Sequence, residues 1–415
     1  MQKFTYKNTI IACYIGYITQ AIGLNFTPIL FTIFQKEFSL SFSQLGSLIV
    51  MNFVTQIFTD IMSAKHVDRI GFRRAAVPSH ILCALGLVFM FVLPNILPNA
   101  FIALAIATVV YAVGGGMIEV VVSPIVDALP SDDSSGAMSL LHSFYCWGQL
   151  GVVLITTLAI RIFGSDVWGL LALLWAIIPT VNIYNFLKVP LPETKPETKT
   201  PIRRLLSDRF FLLALVLMVG AGAAEQVIAQ WSSLFAQTGL KVDKVVGDIL
   251  GPSLFAVFMI IGRTYYGVKS DKLDLRKALI LSSILCVVCY LITSLAKSPL
   301  ISLAGCALTG LSVSLMWPGM LSFASENFKN GGAAMFGVLA IFGDLGCSAG
   351  PMLTGIISDT AQKIPGIMEY ANFCGMEIEQ VTLKAGILSG IVFPIVMVVA
   401  LLMFKENRNA KRKIM

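Results

Sequence analysis

Charge is scarce in this chain. Asp, Glu, Lys and Arg make up 13% of its 415 residues, where a water-soluble domain carries roughly 25%. Hydrophobic residues reach 56%, more than a soluble core can hide. Histidine is scarcer still. His66, His80 and His142 are the only three, so a histidine metal cluster is not expected. The eight cysteines lack zinc-ligand spacing. Seven fall in apolar stretches (Cys13, Cys83, Cys146, Cys286, Cys289, Cys306, Cys347), and Cys374 lies in a loop without a partner there. Cys286 and Cys289, three apart on an apolar stretch, read as small buried residues. No nucleophile–base pair, cofactor motif or soluble domain is legible. The chain is therefore not expected to be an enzyme, and no metal or cofactor is expected.

What is present is a series of long apolar stretches. About 20 mostly apolar residues cross a bilayer. Twelve stretches qualify: residues 8–32, 42–64, 74–93, 99–127, 137–161, 166–187, 208–236, 246–268, 277–296, 299–323, 332–358 and 381–404. The first contains Tyr14, Tyr17, Gln20 and Asn25 and has no small-residue cleavage site after it, so it reads as a true span. The expected fold is an all-α membrane protein of twelve transmembrane helices in two six-helix bundles. A polar, proline-rich linker over 188–207 separates a bundle of residues 1–187 from one of residues 208–415 with a short basic tail. Residues 359–380 form the longest loop on the opposite side. Gly114-Gly115-Gly116, Pro124, Pro318-Gly319 and Gly350-Pro351 mark spans 4, 10 and 11 as helices that bend or pack closely.

The net charge of +7 is distributed by side. With the N-terminus cytoplasmic, 22 of the 30 Lys and Arg fall on the cytoplasmic side and 7 outside, with Arg263 in a span. This is the positive-inside bias, and it speaks against a nucleic-acid partner. It places the protein in the cell (inner) membrane with both termini in the cytoplasm. Lys411-Arg412-Lys413 is a candidate contact for anionic lipid.

One charged motif occurs twice. Asp68-Arg69-Ile-Gly71-Phe-Arg73-Arg74 returns 203 residues later as Asp271-Lys272-Leu-Asp-Leu-Arg276-Lys277. Each copy separates the second and third spans of its half, so the halves are expected to be parallel repeats about a pseudo-two-fold axis. Asp68, Arg69, Arg73, Asp271, Lys272 and Arg276 are gating candidates. Asp68 can pair with basic residues or cap a helix when the inner side is closed.

Five ionisable residues fall at bilayer depth: Asp60, Glu119, Glu225, Arg263 and Asp344. Such residues are costly in hydrocarbon and read as functional. Glu119 follows the triple glycine and is the proton-carrier candidate, since burial disfavours the charged form of a carboxyl group. The alternative is a carboxyl that only hydrogen-bonds a neighbouring helix. Asp60 and Arg263 each lie eight residues before a motif acid, roughly 12 Å along a helix. They are repeat equivalents. Asp60 is a second proton-coupling candidate and Arg263 a gating one. Glu225, Gln226, Gln230 and Trp231 put an acid, two amides and an indole within two turns, which suits a polar ligand such as a sugar. Helix–helix hydrogen bonding is the competing reading. Asn25, Asn52, Gln56, His142, Trp147, Gln149 and Trp317 are further binding candidates. Asp344, in Gly343-Asp344-Leu-Gly346, suggests tight packing of span 11 with a polar contact, and a gating role.

At this point the chain resembles the major facilitator superfamily. Asp68-Arg69-x-Gly71-x-Arg73-Arg74 and Gly262-Arg263-x-x-x-Gly267-x-x-x-Asp271-Lys272 look like its signature loop. A narrower resemblance is to its fucose permease-like branch, through Gly114-Gly-Gly-Met-Ile-Glu119-Val-Val-Val-Ser123-Pro124 and Gly222-Ala-Ala-Glu225-x5-Trp231. The branch usually has asparagine at the Ser123 position. The resemblance implies a monomeric proton-linked sugar symporter with Glu119 at the coupling position. Sodium stays open as the coupling ion. Two alternatives stand beside the uptake of a small-molecule substrate such as a sugar. One is export of amphipathic compounds, which Met218 and Met316 would allow. The other is a non-transporting membrane sensor or scaffold.

Overall fold

The computed structural model describes residues 4–129, 134–192, 205–269, 274–328 and 332–403. It describes their side chains except those of 64–69, 127, 134–139, 267–269, 325, 326, 332–334 and 336. Twelve helices are long and apolar enough to cross a membrane. Spans 1 to 6 are Tyr6–Ile29, Phe42–Ser63, Phe72–Asn95, Ala100–Val126, Leu140–Phe163 and Ser165–Lys188. Spans 7 to 12 are Arg209–Gly239, Lys244–Tyr266, Leu275–Leu295, Pro299–Ala324, Gly337–Gln362 and Ile378–Met403. All twelve expected stretches are helices, and their ends move by a few residues. Hydrocarbon leaves a backbone no other choice, because each amide must find its partner within the segment.

An even number of spans puts the start of span 1 and the end of span 12 at one end of the molecule, called here the terminus end. The opposite end is the far end. Several helix starts are capped by a polar side chain that accepts a backbone N–H. Asn99 takes that of Ile102, Asp208 that of Phe210, Asp243 that of Val245 and Asp274 that of Lys277. The stretch 359–380 is not a plain loop. Span 11 runs into it to Gln362, and a short helix, Pro365–Cys374, follows.

Proline and glycine act where the sequence suggested. Span 10 breaks into Pro299–Val313 and Met316–Asn327. Pro318 has no N–H to offer the Ser314 carbonyl, so the helix parts at that turn. The triple glycine serves two neighbours at once. A Cβ on Gly114 would stand 2.5 Å from the Ser79 carbonyl oxygen of span 3. One on Gly116 would stand 2.9 Å from Asp60 Oδ1 and 3.2 Å from Gln56 Cα of span 2. In the second bundle, a Cβ on Gly222 would reach 2.2 Å from the Gly343 carbonyl oxygen, and one on Gly346 2.1 Å from that of Val219. Spans 7 and 11 thus touch backbone to backbone.

The duplicated motif has a visible structural role in each half. Arg73 donates to the carbonyls of Phe186, Leu187 and Val189 at the C-terminus of span 6. Its repeat equivalent Arg276 donates to those of Leu401 (3.0 Å) and Leu402 (3.2 Å) near the C-terminus of span 12. A cation at a helix C-terminus meets unpaired carbonyls and the negative end of the helix dipole. Both contacts stay within one bundle. As described, these arginines clasp their own bundle rather than bridge the two. Gly71, which begins span 3, has φ 85°, a conformation that L side chains rarely adopt. The corresponding position of the second copy is Asp274, with φ −68°. Lys277 donates both its backbone N–H and its ammonium to Asp274, which holds that carboxyl below the usual carboxylate range. The side chains of Asp68 and Arg69, and residues Asp271 and Lys272, lie outside the described set.

Close packing of spans 7 and 11 sets a first expectation. Gly222→Val is expected to lower thermal stability by about 1–3 kcal/mol, as overpacking does. Gly151→Ala, where an added Cβ meets nothing within 4 Å, is expected to be neutral. Melting of the two detergent-solubilised variants checks the difference.

Candidate functional site

The two bundles meet along spans 1, 2 and 5 on one side and 7, 8 and 11 on the other. At the far end the seam is shut. Trp231 is fully buried, with its ring edge-on to Phe31 and Phe42 at centroid distances of 5.6 and 6.1 Å. Its indole N–H donates to the Pro351 carbonyl at 3.1 Å. Gln230 donates to Gln226 Oε1 at 2.9 Å and to the Leu24 carbonyl of the first bundle at 3.4 Å. The Ser43 amide donates to Asp359 at 2.8 Å, which ties span 2 to span 11. The short helix Phe31–Phe38 is pinned to span 6, where Trp168 donates to Glu37 at 2.8 Å. In this structure, then, Gln230 and Trp231 hold helices together, and Gln226 orients Gln230 from one turn back on the same helix. Helix–helix bonding, the competing reading for that face, is what they show here.

Deeper in the seam the ionisable residues converge. Glu119 accepts a hydrogen bond from Gln20 of span 1 at 2.7 Å. One turn on, Tyr17 and Ser123 share a bond of 2.9 Å between the same two spans. Asp60 lies against Gly116, which brings its carboxyl beside Glu119. Asp344 approaches these two from the second bundle, where span 11 packs against span 2. Its flanking glycines do pack tightly, and Gly343 admits the ring of Trp317. The expected polar contact of Asp344 is missing: Oδ2 is buried without a hydrogen-bond partner, as is Asp60 Oδ1. Buried polar atoms nearly always have partners, so these two unpaired carboxyl oxygens are exceptions to that rule.

Arg263 is committed elsewhere. It pairs with Glu225 at 3.4 Å and donates to Cys146 Sγ across the seam at 3.3 Å. The basic group at this depth therefore serves Glu225, and the three other carboxyls share no salt bridge among the described residues. His142 is exposed, with its ring edge-on to Tyr17 at 5.1 Å and within electrostatic range of Arg263. It lies between the bundles yet reaches solvent, on the terminus side of the seal. Asn25 donates to Tyr145 at 3.4 Å, and Gln56 to Asn52 at 3.4 Å. Gln149 is buried and Trp317 half-buried. The binding candidates thus divide. Asn25, Asn52, Gln56, Gln149 and His142 belong to the first bundle, and Trp317 borders Asp344.

One buried acid escaped the sequence reading. Asp248, at the start of span 8, has no exposed surface. It accepts from Thr157 at 2.5 Å and Ser233 at 2.5 Å, and pairs with Lys244 at 3.0 Å. It lies near the start of the expected span 246–268. The i,i+4 lysine was the available signal.

The Glu225–Arg263 pair sets a second expectation. Arg263→Met leaves Glu225 buried without its partner, a change that costs about 3–5 kcal/mol. Adding Glu225→Gln is expected to recover most of that loss, as thermal melting of the single and double variants would show.

Two comparisons bear on this arrangement. A family model described as Major Facilitator Superfamily matches residues 13–351. Among solved structures, the fold is similar to that of a bacterial homolog of the human lysosomal transporter Spinster, in an inward-facing and occupied conformation. That match has a TM-score of 0.71 at 15% identity and covers 97% of each chain. The unoccupied inward-facing form of that homolog gives 0.71 at 15% identity, over 95% of this chain and 96% of that one. A D-xylose–proton symporter gives 0.69 at 14% identity, over 93% of this chain and 95% of that one. With twelve spans in two bundles and a family match over most of its length, this chain belongs to the major facilitator superfamily of transporters.

Proposed function

We propose that this protein is a proton-coupled secondary transporter of a small polar solute, with sugars as the first class to try. The carrying observation is the group Asp60, Glu119 and Asp344, drawn from both bundles, with two buried oxygens unpaired. Carboxyls that share a low-dielectric site cannot all be charged, so protons must occupy some of them. Glu119, which Gln20 orients, is the proposed carrier. Asp60 shares its proton, and Asp344 reports proton occupancy to the other bundle. In the far-end-closed state the solute site faces the terminus side, read from the positive-inside bias as the cytoplasmic side of a cell membrane, and offers the solute the amides of the first bundle. Rocking of the bundles then opens the far end and frees Gln230 and Trp231 to face it.

Sugar recognition draws on those span 7 side chains and on the amides Asn25, Asn52 and Gln56. A structural neighbour that is a D-xylose–proton symporter agrees with this choice at the level of fold. Export of amphipathic compounds finds less support. Met218 and Met316 are both fully buried in this conformation.

The test is proton movement into proteoliposomes loaded with a pH dye. A panel of sugars should include one that triggers acidification, and Glu119→Gln is expected to reduce that flux by about tenfold or more, which is 1.4 kcal/mol. Solute exchange without proton flux in the wild type would make Glu119 structural. In a binding titration, Gln230→Ala and Trp231→Ala are each expected to weaken sugar affinity about fivefold, within the range for one lost hydrogen bond or ring contact. Unchanged affinity in both would remove span 7 from the solute site.

A further inference from the structure

The far end of the seam holds a second buried charge cluster, separate from the carboxyls above. Asp248 is its centre. Thr157 Oγ1, from span 5 of the first bundle, donates to Asp248 Oδ2 at 2.5 Å. Lys244 Nζ lies 3.0 Å from the same oxygen. Ser233 Oγ, from span 7, donates to Oδ1 at 2.5 Å. Lys244 also donates to the Ile29 carbonyl at 2.9 Å, at the C-terminus of span 1 in the first bundle. A carboxylate with no exposed surface is tolerated only when it is paired and hydrogen-bonded, and Asp248 has both kinds of contact.

Two of these contacts cross the seam, Thr157 to Asp248 and Lys244 to Ile29. Neither survives if the bundles separate at this end. Parting them would uncouple Asp248 from one donor and the span 1 carbonyl from its cation, until water replaced both. The neighbouring backbone can yield at this place. Span 7 ends in a π-helical turn, Phe235–Gly239, two residues after Ser233, and another, Ile249–Ser253, begins directly after Asp248. Such turns loosen the helical register and are common at functional sites. The Oγ atoms of Ser232 and Ser253, also buried here, have no partner in this closed arrangement.

We infer that Asp248, with Lys244, Thr157 and Ser233, is the latch that sets the balance between the far-end-closed and far-end-open states. It holds this state by contacts that the open state lacks, so its removal shifts the population rather than the chemistry of the solute site. The inference rests on the alternating-access reading but not on proton coupling. Its test reads conformation and not flux, so the two can fail separately.

The test uses the full chain with Cys374→Ser, which removes the exposed thiol; the other seven cysteines are buried. One reporter is Leu24→Cys, a buried position whose carbonyl meets Gln230 of the other bundle. The second is His142→Cys, exposed on the other side of the seal. Reaction with a maleimide in detergent is timed for each. Asp248→Asn and, separately, Lys244→Met are expected to speed labelling at position 24 about tenfold and to slow it at position 142. Unchanged rates in both variants would overturn the latch. A rise at both reporters would overturn it as well, since it would show a loosened fold and not a shifted balance.

Discussion

Hydrocarbon supplies neither a hydrogen-bond partner nor a counter-charge, and this protein answers that lack with side chains from other helices. Arg73 and Arg276 attend to the open carbonyls of spans 6 and 12. Lys244 does the same for span 1. Arg263 neutralises Glu225. Among the described residues, a charge at depth is met by another helix, so the placement of charges and the packing of helices are one problem. The two exceptions, Asp60 and Asp344, stand out because that rule is otherwise kept.

Close packing is what makes such service possible. Glycines let spans 7 and 11 touch backbone to backbone, and Gly116 lets Asp60 come up to Glu119. The carboxyl group of three is therefore a product of small residues as much as of acids. The same close approach makes the bundles stiff bodies. Movement is left to the seam between them, where polar contacts replace interlocked backbones.

Much of this was legible in the sequence. Apolar length alone located twelve spans, because a membrane permits few alternatives to a long helix. The repeat was legible in two charged motifs, and the structure gives it a physical meaning in the paired arginine clasps. The triple glycine pointed correctly to close approach. The details of partnership were not legible. Trp231 looked free for a ligand, yet its indole is held by Pro351, a contact from 120 residues away. Asp344 was expected to have a polar contact and lacks one at Oδ2. Asp248 was passed over because its partners, Thr157 and Ser233, belong to other spans. One-dimensional pattern reveals which face is polar but not what meets it.

The arginine clasps carry one more consequence. Each ties the last helix of a bundle back to that bundle's own third span, and neither reaches into the other half. The peptide connection between the halves is thus not what keeps either one shut. A chain organised in this way is suited to being severed between residues 188 and 207 and reassembled from two fragments, or to having one half exchanged for that of a relative. Duplication followed by separate divergence of the halves would leave both closures intact.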